Sequence, residues 1–152
     1  MIRVQRDIFD IGKEIEALTS GRTDIGAVVS FTGLVRDFND GNDVTGLSLE
    51  HYPGMTEREL AKIEEEAGSR WNLQASLIIH RYGEMALGEP IVLVITASPH
   101  RHDAFEAAHF LMDWLKTKAP FWKQEMTADG DTSWVKERES DVKAAKRWTT
   151  NA

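Results

Sequence analysis

The sequence of 152 residues contains no cysteine. This absence excludes a disulfide-stabilised scaffold, a zinc site built from cysteines and a cysteine nucleophile. If the protein handles sulfur, the sulfur must therefore arrive on another molecule. A glycine-rich phosphate loop, a Gly-x-Ser-x-Gly elbow and a His-Glu-x-x-His zinc motif are also missing.

Five histidines are present, but their positions do not suggest a metal site. His100 and His102 are two residues apart, so they point in different directions on a helix. His51 and His80 each lie in a predicted strand, where we interpret them as hydrogen-bonded core residues. We therefore predict neither a metal site nor a bound cofactor.

Long apolar runs are lacking too. No stretch approaches the roughly 18 residues that a membrane-spanning helix needs, and the opening MIRVQRDIFD lacks a signal-peptide core. Positive charge is also in deficit, because 18 Lys and Arg residues face 25 Asp and Glu residues, for a net charge of −7. Nucleic-acid binding draws on a surplus of basic residues. We expect a cytoplasmic protein without nucleic-acid or membrane partners.

What the sequence does contain is a succession of short strand and helix patterns without repeats or linkers. The strands predicted over residues 25–35 and 44–52 are expected to form a hairpin with a long tip. The apolar segment 90–97 is expected to lie centrally in a sheet. The predicted order, β-α-β-β-α-β-β-α-β-β-α, indicates one α+β domain over residues 1–152, with helices packed on a mostly antiparallel sheet.

A helix is predicted to begin with Ser98 as its N-cap and a proline in its first turn. His100 and Arg101 then lie in the opening turn, where free backbone N–H groups favour an anion. Alternatively, both are solvated surface residues that pair with Asp103 or Glu106.

At the far end of this helix, the segment LKTKAPFWK sets three lysines around a proline and two aromatic residues. Met112 and Lys116 share a helix face, and on an extended strand after Pro120 the side chains of Phe121 and Lys123 point to one side. The two lysines can therefore converge against apolar walls. Partial desolvation and a second ammonium lower the pKa of a lysine, which suits a nucleophile or a proton-transfer group. Alternatively, the lysines only complement the helix dipole.

The two ends of this helix are too far apart for one small ligand. At ~1.5 Å per residue, Arg101 and Lys116 are about 22 Å apart. A small phosphorylated metabolite is shorter than that. If both ends serve one ligand, the second end must come from another subunit, so we hypothesise a homodimer with composite sites.

Five segments together resemble a known family: FTGLVRD, LEHYPGMTE, IIHRYGE, SPHRHDAFEAAHFLMDWLKTKAPFWKQE and RESDVKAAKRW. They are similar to the large, catalytic subunit of molybdopterin synthase, from about residue 25 to residue 148. The resemblance implies an α/β hammerhead-like domain with a small antiparallel β subdomain. It also implies a heterotetramer, in which a homodimer is flanked by two small ubiquitin-like subunits.

The resemblance further implies an activity. The small partner carries a C-terminal Gly-Gly thiocarboxylate, and its tail enters a pocket of this subunit. Two sulfur atoms pass in turn to cyclic pyranopterin monophosphate, which yields molybdopterin, a dithiolene. No metal is needed for this step, and the lack of cysteine agrees with sulfur that is supplied by the partner.

By the same resemblance, the active-site lysines of the family correspond to Lys116 and Lys123. The residues that would bind substrate are Phe31, Arg36, His100, Arg101, Met112 and Arg138. In the family the His-Arg pair and the late arginine reach the site from the neighbouring subunit, which agrees with the distance argument.

Two other classes of protein stay open. A non-catalytic binding scaffold for a ubiquitin-like protein would need the groove but not the lysines. A small-molecule hydrolase would show turnover without any partner protein.

Overall fold

The computed structural model of the chain describes residues 1–39, 42–127, 132–134 and 139–149. The strands are β1 (Ile2–Gln5), β2 (Ala27–Leu34), β3 (Phe38–Asn39), β4 (Asn42–His51), β5 (Ala75–Arg81), β6 (Gly83–Ala86), β7 (Pro90–Ser98), β8 (Phe121–Thr127) and β9 (Thr132–Trp134). The helices are α1 (Ile11–Thr19), α2 (Met55–Arg70), α3 (Arg101–Thr117) and α4 (Glu139–Lys146). The predicted α+β class is confirmed.

The first sheet has the strand order β1-β5-β7-β2. Strand β1 is parallel to β5, and the other two pairs are antiparallel. Strand β7 is central and almost entirely buried, as its continuous apolar sequence predicts. Because successive strand residues face opposite sides, the sheet has two apolar faces. Ile78 and Val94 face the cluster that includes α2 and α3, whereas Leu77 and Leu93 pack with α1.

The second sheet has the order β3-β4-β8-β9, and β6 also pairs with β4. All its pairings are antiparallel. Its core is a smaller apolar cluster that includes Leu47, Leu49 and Met85. The half-buried ring of Phe121 packs on this cluster, so the second sheet holds the start of β8 in place.

The hairpin predicted from residues 25–35 and 44–52 is wrong. Strand β2 pairs with β7 in the first sheet, whereas β4 pairs with β6 and β8 in the second. Strand β2 lies along β7, which is more than fifty residues away in sequence, so the pairing depends on the folded chain and not on a local turn. Strand β6, which the sequence pattern did not indicate, continues the chain from one sheet to the other.

The predicted N-cap of α3 is also wrong. Ser98 is the last residue of β7, because the backbone N–H of Gly26 bonds to its carbonyl and Ala27 pairs with it across the sheet. The helix begins at Arg101, with His100 at the N-cap and no side-chain cap. Sheet pairing, a tertiary contact, therefore delays the start of the helix by two residues.

Helix α4 is anchored on α3 by Trp148, which is 9% exposed. The indole ring packs edge-on against Trp71 and Phe110, at centroid distances of 5.6 and 5.5 Å. Its Nε1–H donates to a carboxylate oxygen of Asp113 at 2.6 Å. This contact ties the end of the chain to the middle of α3.

In the described part of the chain no helix has the length and apolar character that a membrane crossing needs.

Candidate active site

A cavity of about 180 Å³ opens between the end of α3, the start of β8 and the end of β2. Four of the predicted site residues line it: Phe31, Met112, Lys116 and Lys123. The expected convergence of the two lysines beside Met112 is therefore present in the structure. We refer to this space as the lysine cavity.

The turn between the two lysines is held by a buried hydroxyl group. Thr56, which is fully buried at the start of α2, donates from its Oγ1 to the carbonyl of Pro120 at 3.2 Å. The same oxygen accepts the backbone N–H of Tyr52 at 3.1 Å. Because the proline cannot continue the helix, α3 ends and the chain enters β8 at a fixed point. This local geometry determines the separation between Lys116 and Lys123.

Strand alternation then selects which side chains of β8 face the cavity. Phe121 and Lys123 pair with positions 51 and 49 of β4, and both line the cavity. Trp122 points to the other side, where its ring meets Tyr52 edge-on at 4.2 Å. The alternation that the sequence predicts is confirmed, and one strand supplies both an apolar wall and a cation.

The two lysines differ in exposure. Lys123 is half-buried, as expected for a lysine against apolar walls, but Lys116 is exposed at the mouth of the cavity. The expected partial desolvation of Lys116 is thus not met within one chain. The reason is that the cavity is open on this side, where Phe31 and Leu34 are themselves 41% and 53% exposed. Lys118, two residues further on, lies outside the cavity.

His80 also lines the cavity, although its sequence context indicated only a core residue. It is 6% exposed, and its ring stacks on Phe121 with centroids 3.8 Å apart. Burial, followed by the charges of Lys123 and Lys116, lowers the pKa of His80 from its ordinary value of 6.5 to about 3. One signal could have located it: His80 follows Ile78 by two residues, so both face the side of the sheet that α3 covers.

Asp141 of α4 is a second lining residue that sequence reasoning missed. It belongs to a charged run, which is typical of a solvated helix face. Only the anchoring of α4 through Trp148 brings this carboxylate to the cavity. No sequence signal could have found it, because α4 packs against α3 through contacts between distant segments.

The other predicted site residues lie elsewhere. Arg36 lines a separate, shallow depression with Val35 and Leu87. His100 and Arg101 are exposed at the opposite end of α3 from Lys116. Arg138 lies outside the described residues. Thus, of the described residues, Arg36, His100 and Arg101 do not line the lysine cavity of their own chain.

The alternative in which His100 or Arg101 pairs with an acidic neighbour is not observed. Asp103 instead accepts the backbone N–H of Asn72 at 2.9 Å. Within the described ranges, the side chains of Arg36 and Arg101 form no hydrogen bond or ion pair. These exposed guanidinium groups remain available to an external anion.

Candidate metal ligands do not cluster. Among the residues that the structure describes, no group of three or more His, Asp or Glu side chains could hold a metal ion. The ionisable groups among the described residues that line the lysine cavity are two ammonium groups, an imidazole and a carboxylate, set against apolar walls.

Fold and site together define an α+β protein with a cavity in which two lysines lie against apolar walls. The comparison with protein families matches residues 4–118 to the MoaE protein family. The chain therefore belongs to the MoaE family, and the family predicted from its motifs is confirmed.

Individual relatives agree with this assignment. A protein of Pseudomonas aeruginosa named "Molybdopterin synthase catalytic subunit" is 58% identical over 147 residues, covering 97% of each chain. The solved structure of the molybdopterin biosynthesis MoaE protein from Burkholderia ambifaria has a TM-score of 0.83 and 47% identity, covering 98% of this chain and 97% of that chain. The structure titled molybdopterin synthase from Staphylococcus aureus has a TM-score of 0.81 and 30% identity, covering 88% and 96%.

Proposed function

We propose that this chain is a sulfurtransferase, the catalytic subunit of a molybdopterin synthase. It transfers two sulfur atoms from the C-terminal thiocarboxylate of a small ubiquitin-like partner to cyclic pyranopterin monophosphate, and so makes the dithiolene of molybdopterin. It acts as one domain over residues 1–152 in the cytoplasm. The observation that carries this proposal is the convergence of Lys116 and Lys123, with Phe31 and Met112, in one cavity.

The cavity suits the charges of this reaction. A thiocarboxylate tail and a phosphorylated pterin are both anionic, and two ammonium groups attract them although the chain as a whole carries a charge of −7. The apolar walls exclude water and strengthen this local attraction. Met112 and Phe121 supply such walls on the side of the buried core.

Lys116 performs the central step in this proposal. In each transfer the thiocarboxylate sulfur bonds to a side-chain carbon of the pterin, where a carbon–oxygen bond breaks and the oxygen leaves as water or stays on the phosphate. The carbon–sulfur bond to the tail then breaks, and the acyl group passes to water or first to the Lys116 amine. Transfer to water leaves a carboxylate on the partner, and transfer to the amine leaves an amide that must then be hydrolysed. Proton transfer is the alternative role of Lys116. Lys123, which is half-buried, assists and binds substrate.

The partner is proposed from the open side of the cavity. The Pseudomonas aeruginosa relative is named a catalytic subunit, which implies that its enzyme has another subunit. The exposed Phe31 and Leu34 beside Lys116 leave an apolar mouth. A narrow Gly-Gly tail that entered here would cover these side chains and place its terminal sulfur near the lysines.

A second copy of the chain completes the site. Arg36, His100 and Arg101 do not reach the lysine cavity of their own chain, and about 22 Å of helix separates Arg101 from Lys116. In a homodimer these three side chains of one subunit bind the phosphate of a pterin held at the lysines of the other. Arg138 is assigned to the same group. Two partners on this dimer give the heterotetramer.

Product formation tests the proposal directly. The chain is mixed with thiocarboxylated partner and cyclic pyranopterin monophosphate, and the dithiolene product is measured with and without partner. Wild type should form product only with partner. Lys116→Ala should abolish product while it still binds partner. The matched control is Lys118→Ala, which removes a neighbouring exposed lysine outside the cavity and should leave turnover near normal. Near-normal turnover by Lys116→Ala would defeat the assignment.

Mixing of two inactive variants tests the composite site. Lys116→Ala and Arg101→Ala damage different halves of each site, so a mixed dimer contains one intact site. Random exchange of subunits makes about half of the dimers mixed, and one of the two sites in each mixed dimer is intact. About a quarter of wild-type sites should therefore be restored. No recovery after verified exchange would place Arg101 outside the site or within the same chain.

The two rival classes predict different outcomes of the same assay. A binding scaffold would capture the partner but form no dithiolene. A hydrolase would convert small esters without any partner.

A further inference from the structure

His80 is a buried imidazole at the wall of the lysine cavity, and the proposed sulfur transfer does not use it. Its ring lies nearly parallel to Phe121, with an interplanar angle of 17°. On its other edge, Nδ1 is 3.0 Å from the backbone carbonyl of Arg81. A stack on one face and a backbone hydrogen bond at one edge together determine the orientation of the ring.

These contacts determine which nitrogen carries the proton. A carbonyl oxygen can only accept a hydrogen bond, so Nδ1 must be the N–H donor to Arg81. Burial and the neighbouring ammonium groups keep the imidazole neutral, with the pKa of His80 lowered to about 3. In a neutral ring with Nδ1 protonated, Nε2 carries a lone pair and can only accept.

Nε2 remains open to the cavity. It forms no hydrogen bond with the described residues. Among those residues, Nε of Arg3 is the only buried side-chain nitrogen or oxygen that is both shielded from solvent and without a hydrogen-bond partner. Nε2 of His80 has no partner either but does not belong to this class, so it keeps contact with solvent. Because the ring lines the lysine cavity, that contact is through the cavity.

The cavity therefore offers a neutral acceptor beside two cationic donors. An ammonium group donates hydrogen bonds but accepts none, so Lys116 and Lys123 can bind only the anionic or acceptor groups of a substrate. We propose that Nε2 of His80 accepts a hydrogen bond from an N–H or O–H group of the small-molecule substrate and so orients it against the lysines. This inference rests on the proposed function, in which that substrate is a pterin.

A pair of substitutions separates the two nitrogens of the ring. His80→Asn keeps a donor near Nδ1 for the Arg81 carbonyl but has no acceptor at the Nε2 position. His80→Gln places an amide oxygen near Nε2 and loses the backbone bond. The matched control is His51→Gln, which removes another histidine next to Phe121 that does not line the cavity.

The expected result is a change in substrate affinity with little change in folding. His80→Asn should raise KM and the calorimetric Kd for cyclic pyranopterin monophosphate about tenfold, because the donor of the substrate is left without an acceptor. His80→Gln should recover most of this loss, and His51→Gln should match wild type. If His80 has only a structural role, His80→Asn should lower stability less than His80→Gln does, and neither variant should change substrate affinity.

Nitrogen NMR of the whole chain gives a readout that does not depend on turnover. Between pH 5 and 9, His80 should show one protonated nitrogen, Nδ1, and no titration, and added pterin substrate should shift the Nε2 signal. A proton on Nε2, titration near neutral pH, or an unchanged Nε2 signal at saturating substrate would overturn the inference.

The proposed function and this inference fail in different ways. A wild-type chain that makes no dithiolene with its partner would overturn the function and the inference together. An active wild type whose His80→Asn variant keeps normal affinity would overturn the inference alone.

Discussion

The anchoring of α4 by Trp148 can be tested with a single substitution. Trp148→Phe keeps an aromatic ring between Trp71 and Phe110 but removes the Nε1–H that donates to Asp113 at 2.6 Å. The acceptor is a buried carboxylate, 9% exposed. The variant therefore breaks one charge-assisted hydrogen bond and leaves the apolar contacts largely in place.

The magnitude follows from the type of bond. A hydrogen bond to a charged group contributes about 1.5–3 kcal/mol to stability. The smaller ring of phenylalanine also gives up some packing, about 1 kcal/mol. Arg147 and His109 lie 3.8 Å from the same carboxylate and offset part of the loss. We expect the free energy of unfolding to fall by about 2–3 kcal/mol.

Urea denaturation measures this change as a lower midpoint with an unchanged slope. Hydrogen exchange should rise over residues 139–149 before it rises in the first sheet. The control is Trp122→Phe, at a residue that is 37% exposed and whose ring meets Tyr52 edge-on, so its effect should stay small. A double-mutant cycle with Asp113→Ala should give a coupling energy near the predicted loss. Unchanged stability, or a coupling energy near zero, would refute this account of how α4 is held.

Three further predictions follow from individual contacts. Gly26→Ala would place a Cβ 2.2 Å from the carbonyl oxygen of Pro99, so it should lower the free energy of unfolding, measured by urea denaturation, by about 3 kcal/mol. Gly68→Ala is the control: Gly68 lies on α2 with open space around it, so this change should be neutral or slightly stabilising. Equal effects of the two changes would contradict the close approach at Gly26. The pKa of His80 is lowered to about 3 in the folded chain, so the unfolded chain binds more protons between pH 6.5 and 3. The free energy of unfolding should therefore fall as pH decreases through this window, by up to about 1.4 kcal/mol per pH unit. His80→Asn should lose this component, so equal slopes for the variant and wild type would refute it. Thr56→Val should lower both turnover and stability, because it removes the hydroxyl that donates to the Pro120 carbonyl between the two lysines. Unchanged turnover in a folded variant would show that the turn keeps its geometry without this hydrogen bond.

Local features of the sequence could be predicted well. The helix stop before Pro120 and the alternation of Phe121, Trp122 and Lys123 involve neighbouring residues, so covalent geometry and strand period decide them. The convergence of Lys116 and Lys123 follows from these two features. The central place of β7 also follows, because a strand that is apolar on both faces must be covered on both.

Pairing between distant segments could not be predicted in the same way. The expected hairpin failed because β2 pairs with β7, and β4 pairs with β6 and β8, which are strands far along the chain. The N-cap at Ser98 failed because β7 extends its pairing by one more residue with β2. In both cases local propensity was overridden by a sheet contact that no short window of sequence contains.

Residue order and chemistry alone were enough to indicate the α+β class, the family and a pair of lysines set against apolar walls, since each depends on short-range patterns. Tertiary packing alone decided that His80 and Asp141 join those lysines, and that Arg36, His100 and Arg101 do not. The physical reason is that β5, α3 and α4 meet through burial of apolar surface and the Trp148–Asp113 bond, which depend on the whole chain having folded.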